Sequence, residues 1–213
     1  MSQKNMKSAK MGVEFSAIIL AAGASSRMKS SKFCMPYSSE MTFIQHITSV
    51  IAQAGSKRII AILNKDGIEL LRKNNHHFID IVSVALNPHP EYGRFYSLMT
   101  GIRELACNSP VLIHNVDNPF ITVDTIKTLL SLTGKADYSY PVYKGKGGHP
   151  LLISGMIAKK LLNESVHLNH NPDHYLNLTL KEYLKQFTGK PVEVDDEKVL
   201  VNINTPEDYR KYF

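Results

Sequence analysis

At 213 residues the chain has room for one domain with a sizeable buried core, but not for two full ones. Apolar residues make up 43% and charged residues 21%, the balance of an ordinary globular protein, and no stretch approaches the roughly 18 apolar residues of a bilayer span. The formal charge of +6 raises nucleic acid as a partner. Yet the basic residues are dispersed, no aromatics interleave with them, and Lys4, Lys7 and Lys10 add to the sum from the N-terminal end. Anionic small molecules are therefore the expected partners, with no nucleic acid and no membrane.

Residues 1–14 carry lysines without an apolar core and cleavage site after them, so the segment reads as a disordered tail rather than a signal peptide, and 15–213 as the folded domain. Cys34 and Cys107 have neither thiol neighbours nor metal-site spacing, which fits a reducing, cytoplasmic setting. The short apolar run Ser16 to Ala21, ending at Gly23, suits a strand buried on both faces of a parallel sheet. Thr42 to Ala54 has helical spacing and closes at Gly55, and Arg58 to Leu63 is a β-branched strand. The alternation continues with a helix over Asp66 to Asn74, a strand over Ile79 to Leu86, a helix over Phe95 to Leu105 and a strand over Val111 to His114. Next come a helix Asp124 to Leu132, strands Tyr138 to Tyr143 and Leu151 to Ser154, and helices Gly155 to Leu162 and Leu176 to Gln186. Strands Val192 to Val194 and Leu200 to Ile203 and a helix from Thr205 or Pro206 complete the chain. Asn163 to Pro172 is the candidate insert. The implied fold is α/β, a single domain with a mostly parallel, doubly wound sheet, whose ligands sit beyond the carboxyl ends of the strands.

Three places after apolar runs can carry chemistry. In Leu20-Ala21-Ala22-Gly23-Ala24-Ser25-Ser26-Arg27-Met28, followed by Lys32, small residues let backbone N–H groups approach phosphate, and Arg27 and Lys32 add charge. The segment lacks the further glycines of a dinucleotide fingerprint and the Gly-Lys-Ser/Thr ending of a Walker loop, and an ordinary strand-to-helix turn accounts for it equally. In His114-Asn115-Val116-Asp117-Asn118-Pro119, Asp117 can ligate Mg²⁺ or simply turn the chain. In Val201-Asn202-Ile203-Asn204-Thr205-Pro206, strand alternation puts Asn202 and Asn204 on one face, where an amide oxygen can reach a metal, while Thr205 caps a helix. Gly148-His149-Pro150 is either a substrate contact or a hairpin, and Ser97, in a loop that opens a helix, can meet a base or phosphate. His76-His77 and His167, His170 and His174 lack the acidic or cysteine ligands of a zinc site and read as surface histidines.

Taken in order, Leu-Ala-Ala-Gly-x-Ser-x-Arg-Met at 20 to 28 with Lys32, Asn87-Pro88 with Gly93 and Ser97-Leu98, Asp117-x-Pro119, Gly148-His149-Pro150 and Asn204-Thr205-Pro206-Glu207-Asp208 resemble the MobA-like NTP transferases, and within them the molybdenum cofactor cytidylyltransferases. The resemblance runs from Ser16 to the C-terminus. It implies a glycosyltransferase-A-like sandwich, the fold of nucleotide-diphospho-sugar transferases, and Mg²⁺-dependent transfer of an NMP from an NTP, CTP favoured, to a phosphorylated acceptor such as molybdopterin. A molybdoenzyme or its chaperone would receive the product. Carried onto this sequence, it gives Leu20, Ala21, Ala22, Gly23 and Ser97 to the nucleotide, Arg27 and Lys32 to the phosphates, and Asp117 with Asn202 and Asn204 to the metal. Gly148, His149 and Pro150 go to the acceptor. The sequence departs from the pattern at Lys29 and Val116, where glycine is usual, and at Arg94-Phe95-Tyr96, where small residues are common. A sugar- or polyol-phosphate nucleotidyltransferase and a non-catalytic nucleotide-binding regulator remain alternatives.

Overall fold

The computed structural model describes residues 13–23, 28, 31–73, 81–166 and 178–213. Its sheet has the order β3-β2-β1-β4-β7-β5-β6, with β8 paired to β5. The first four of these are the parallel half: β1 (Ser16–Leu20), β2 (Ile59–Leu63), β3 (Val82–Leu86) and β4 (Val111–Asn115). Beyond β4 the sheet turns mixed. β7 (Leu151–Ile153) runs antiparallel to both β4 and β5 (Tyr138–Tyr143), β5 turns back on β6 (Lys146–Gly147), and β8 (Gly189–Glu193) lies parallel to β5.

The three central strands are buried along nearly their whole length, and strand alternation divides their side chains between two cores. Ala17, Ile19, Ile59, Ala61, Leu63 and Leu112 join one cluster; Ile18, Ile60, Ile62, Val111 and Ile113 join the other. On the first face lie α1 (Phe43–Gln53), α2 (Lys65–Lys73), α4 (Val123–Leu130) and α7 (Pro206–Tyr212). On the second lie α3 (Gly93–Leu105), α5 (Gly155–Ser165) and α6 (Leu180–Tyr183). Cys34 packs against the first cluster and Cys107 against the second, so the sheet stands between them. Among the described residues no helix is long and apolar enough to cross a membrane.

Local chemistry sets the helix starts. Thr42 and Gln45 form a reciprocal capping box ahead of α1, as do Thr205 and Asp208 ahead of α7, each satisfying backbone donors that the first turn leaves open. The same device shortens the helix expected over Leu176 to Gln186. Thr179, extended and boxed with Glu182, starts α6 at Leu180, and the run ends as a 3-10 turn over Leu184–Gln186. Leu176 lies outside the described residues. The expected strand Leu200 to Ile203 does not form. Glu197–Leu200 is a 3-10 turn, Val201 N–H donates to the Lys198 carbonyl at 3.0 Å, and Ile203 N–H donates to the Asp117 carbonyl at 2.7 Å, so these backbone groups are satisfied without a neighbouring strand. Asn163 to Ser165 complete α5; the rest of the candidate insert from His167, the histidines at 76, 77, 167, 170 and 174, and residues 1–12 of the expected tail lie outside the described residues.

Candidate functional site

The site is assembled where β1 and β4 end side by side. Their pairing aligns Leu20 with Asn115, and the ladder carries on one step further, with Val116 N–H donating to the Leu20 carbonyl at 3.1 Å. That bond sets Asp117 at the mouth of the crevice. Val116 is buried in the first core cluster, so the residue standing where a glycine is usual anchors the turn through its side chain. Asn118 completes the clamp. It is 1% exposed, its Nδ2 donates to the Val199 carbonyl at 3.1 Å, and its own carbonyl meets His114 Nε2 at 2.7 Å.

Ala21 and Ala22 follow β1 and are buried, their methyl groups in the first and second core clusters respectively. Part of this segment's backbone is engaged within the fold. Ala21 N–H is tied to the Ile62 carbonyl at 3.0 Å, and the Ala22 carbonyl accepts from Asn64 Nδ2 at 3.2 Å. Gly23 is exposed, and Arg27 and Lys29 lie outside the described residues.

Lys32 opens a 3-10 turn over Lys32–Cys34 that is pinned by buried Phe33. Its Nζ donates to Asn204 Oδ1 at 2.7 Å and stands 3.6 Å from Asp117 Oδ2, while Arg94 Nη2 donates to the same Oδ2 at 3.1 Å. One carboxylate oxygen thus faces two cations. Its other oxygen, Asp117 Oδ1, and the Asn202 side-chain carbonyl oxygen are both buried with no hydrogen-bond partner among the described residues. Buried acceptors open in this way are available to a donor or a cation.

The asparagine pair therefore divides its work differently from strand alternation. Asn204 Oδ1 holds Lys32, and its N–H joins the α7 cap through Asp208 Oδ2 at 2.9 Å. Asn202 keeps an open acceptor. Carboxylate and amide oxygens are hard donors of the kind that Mg²⁺ and Mn²⁺ take. Among the described residues no group of three His, Cys, Asp or Glu converges.

Next to Asp117 opens a cleft of about 960 Å³. Gly148 and His149 line it with Leu20, Arg94, Tyr138 and Tyr140; Pro150 is buried and is not among the lining residues. Gly148 is required by close approach, since a Cβ there would stand 2.5 Å from the Val199 carbonyl oxygen. His149 N–H donates to that same carbonyl at 2.9 Å, and its Nε2 meets Asn115 Nδ2 at 3.0 Å. Burial pushes the His149 pKa down, Arg94 adds to the effect, and Asp117 opposes it, so the ring enters the cleft as a neutral hydrogen-bonding group. Ser97 is held back from the mouth: its hydroxyl accepts from Asn87 Nδ2 at 2.8 Å and donates to the Gly93 carbonyl at 3.3 Å, bracing the start of α3.

His114, beneath the turn, is fully buried, and burial together with the nearby His149 lowers its pKa to about 3. The sign follows directly. Between about 3 and the unfolded value of about 6.5, only the unfolded chain takes up this proton, so stability falls as the pH is lowered through that window. The cost reaches about 2 kcal/mol at pH 5 relative to neutral pH. Urea unfolding of the wild type should therefore show a clear loss between pH 7.5 and 5, and H114Q a smaller one; equal losses would remove His114 as the source.

Sequence reading located Lys32, Asp117, Asn204, Gly148 and His149, which the fold brings together. It missed Arg94 as a partner of Asp117, the Asn118 clamp and the wall formed by Tyr138, Tyr140 and Leu178 to Leu184. Only Tyr138 and Tyr140, two apart on β5, carried a signal, through period-2 alternation.

Known proteins share this fold. A protein of Carboxydothermus hydrogenoformans described as "Probable molybdenum cofactor guanylyltransferase" is 27% identical over 198 residues, 91% of this chain and 92% of that one. Among solved structures, a nucleotidyl transferase from Methanothermobacter thermautotroptrophicus superposes with a TM-score of 0.72 at 20% identity, covering 94% of this chain and 96% of that one. Rv0371c of Mycobacterium tuberculosis H37Rv superposes with a TM-score of 0.72 at 20% identity, covering 95% and 98%; it has also been solved in complex with manganese. The family model described as the MobA-like NTP transferase domain matches residues 17–174. The chain belongs to the MobA-like NTP transferase domain family and is a nucleotidyltransferase of that kind.

Proposed function

We propose that the protein moves an NMP from an NTP, with CTP favoured, to the phosphate of a small acceptor such as molybdopterin, releasing pyrophosphate. The observation that carries this reading is the Asp117 carboxylate, set at the crevice between β1 and β4 with Lys32 and Arg94 on one oxygen and an open acceptor on the other. An acceptor phosphate oxygen attacks the α-phosphorus in line, the bond from that phosphorus to the β-bridging oxygen breaks, and pyrophosphate leaves with the bond's electron pair. No protein nucleophile is needed. Lys32 neutralises charge on the leaving group, and Arg27 is assigned the same task. Gly148 and His149 border the acceptor. Asp117, with Asn202 assigned alongside it, would hold Mg²⁺, which supplies charge neutralisation at the phosphates when bound. Asn204 serves the site through Lys32.

CTP is favoured because Ala22 stands where guanylyl-transferring relatives carry glycine. A cytoplasmic enzyme handing its product to a molybdoenzyme or its chaperone completes the reading, with 15–213 as the catalytic domain.

The test is pyrophosphate release from each NTP in turn, with and without Mg²⁺, in the presence of molybdopterin and of sugar and polyol phosphates. Release from CTP ahead of GTP, dependent on the divalent ion, is the expected result. Binding of an NTP without turnover on any acceptor would sink the enzyme reading in favour of a nucleotide-binding regulator.

A further inference from the structure

Arg94 is an exception among the residues around Asp117. It follows Gly93, whose φ of 86° turns the chain into the first turn of α3 and is open to glycine at little cost. Its side chain is 71% exposed, yet Nη2 sits 3.1 Å from Asp117 Oδ2. Lys32, the other cation on that oxygen, is 14% exposed and is fixed by Asn204 from the opposite side. The two contacts therefore differ in kind. The Asp117 end of the Arg94 pair is buried but the guanidinium end is exposed, where side-chain entropy and solvent screening weaken it, so the Arg94 contact gives way before the Lys32 contact does.

Arg94 also lines the cleft, whose other described walls are largely apolar or aromatic: Leu20, Phe95, Tyr138, Tyr140, Leu151 and Leu180 among them. Among the described lining residues only Arg94 and Lys181 carry a fixed positive charge, since burial keeps His149 neutral. A phosphorylated acceptor that enters this cleft needs a cation for its phosphate at the end where Asp117 stands. Arg94 is the cation at that end, and the guanidinium fork matches phosphate oxygens better than it matches one carboxylate oxygen that is already shared.

We propose that Arg94 is the acceptor-phosphate anchor, parked on Asp117 in the free protein and released to the acceptor when a metal-bound nucleotide claims that carboxylate. The inference rests on the nucleotidyl-transfer reading above. Its consequence is an order of binding, nucleotide first and acceptor second, because positive charge arriving on Asp117 weakens the parked contact.

The experiment uses the full chain and the R94M and R94K variants, with two probes. Mn²⁺ binding to the nucleotide-free protein, followed by electron paramagnetic resonance, should be about threefold tighter in R94M, since a competing cation whose own end is solvent-screened has been removed from Asp117. Inorganic phosphate binding is then measured by calorimetry on protein saturated with Mn²⁺ and α,β-methylene CTP, so that the triphosphate site is already filled. R94M should bind phosphate about tenfold more weakly, the loss of one charge-assisted contact, and R94K should fall between it and the wild type. If R94M leaves phosphate binding unchanged, or weakens Mn²⁺ binding, the assignment of Arg94 is overturned while the nucleotide reading stands. If the wild type binds no nucleotide analogue with Mn²⁺, both fall together.

Discussion

Asp117→Ala is expected to lower pyrophosphate release on the order of a thousandfold or more, the scale associated with removing a preorganised charge at a reacting phosphate. The fold should survive the change. What Asp117 gives the architecture is its main chain, through the 2.7 Å bond from Ile203 N–H to its carbonyl, and alanine keeps that. The carboxylate gives the architecture little. Lys32 retains Asn204 as a partner, and Arg94 returns to solvent. Far-UV circular dichroism and a melting curve near wild type, together with the lost turnover and weakened Mn²⁺ binding, would locate the defect in the site. Mg²⁺-dependent activity persisting in the variant would take this aspartate out of the metal site.

Lys32→Met should come next in size, with kcat/KM for the NTP falling about a hundredfold. Lys32 is the one described cation held in place by a neutral partner, Asn204, while it faces the carboxylate. Its geometry is thus fixed before a triphosphate arrives, and preorganised charge contributes more than charge that must be gathered. Methionine keeps most of the stem and loses the ammonium, so the packing of the 3-10 turn around Phe33 should remain. Initial rates at varied NTP would separate a loss of affinity from a loss of kcat. Kinetics equal to the wild type would place the phosphates elsewhere.

Much of this architecture was legible in the chain because its central strands are apolar on both faces. Ile18 and Ile19 go to opposite cores, and a run of such residues has few homes other than a sheet covered by helices. Helical spacing after Thr42 and the cap at Thr205 announced their helices. The chain between Val199 and Asn204 misled for a physical reason. Val201 and Ile203 alternate as a strand would, but their donors go to the Lys198 and Asp117 carbonyls, a choice made by tertiary contacts that no local pattern records. The same limit applies at the site. Lys32, Asp117 and Asn204 stood out by their place after apolar runs, whereas Arg94 reads in sequence as bulk beside Phe95 and Tyr96. Its pairing with Asp117, 23 positions away, depends on where α3 starts relative to the end of β4.

The contact between Lys32 and Asn204 spans 172 positions of chain. In terms of chain entropy it closes one of the widest loops the molecule contains, and such closures carry the greatest ordering cost. During synthesis Lys32 and Asp117 emerge long before Asn204. Lys32 therefore acquires its fixed aim only once the stretch around Asn204 has docked, and under the proposed function its readiness for a triphosphate waits on that closure.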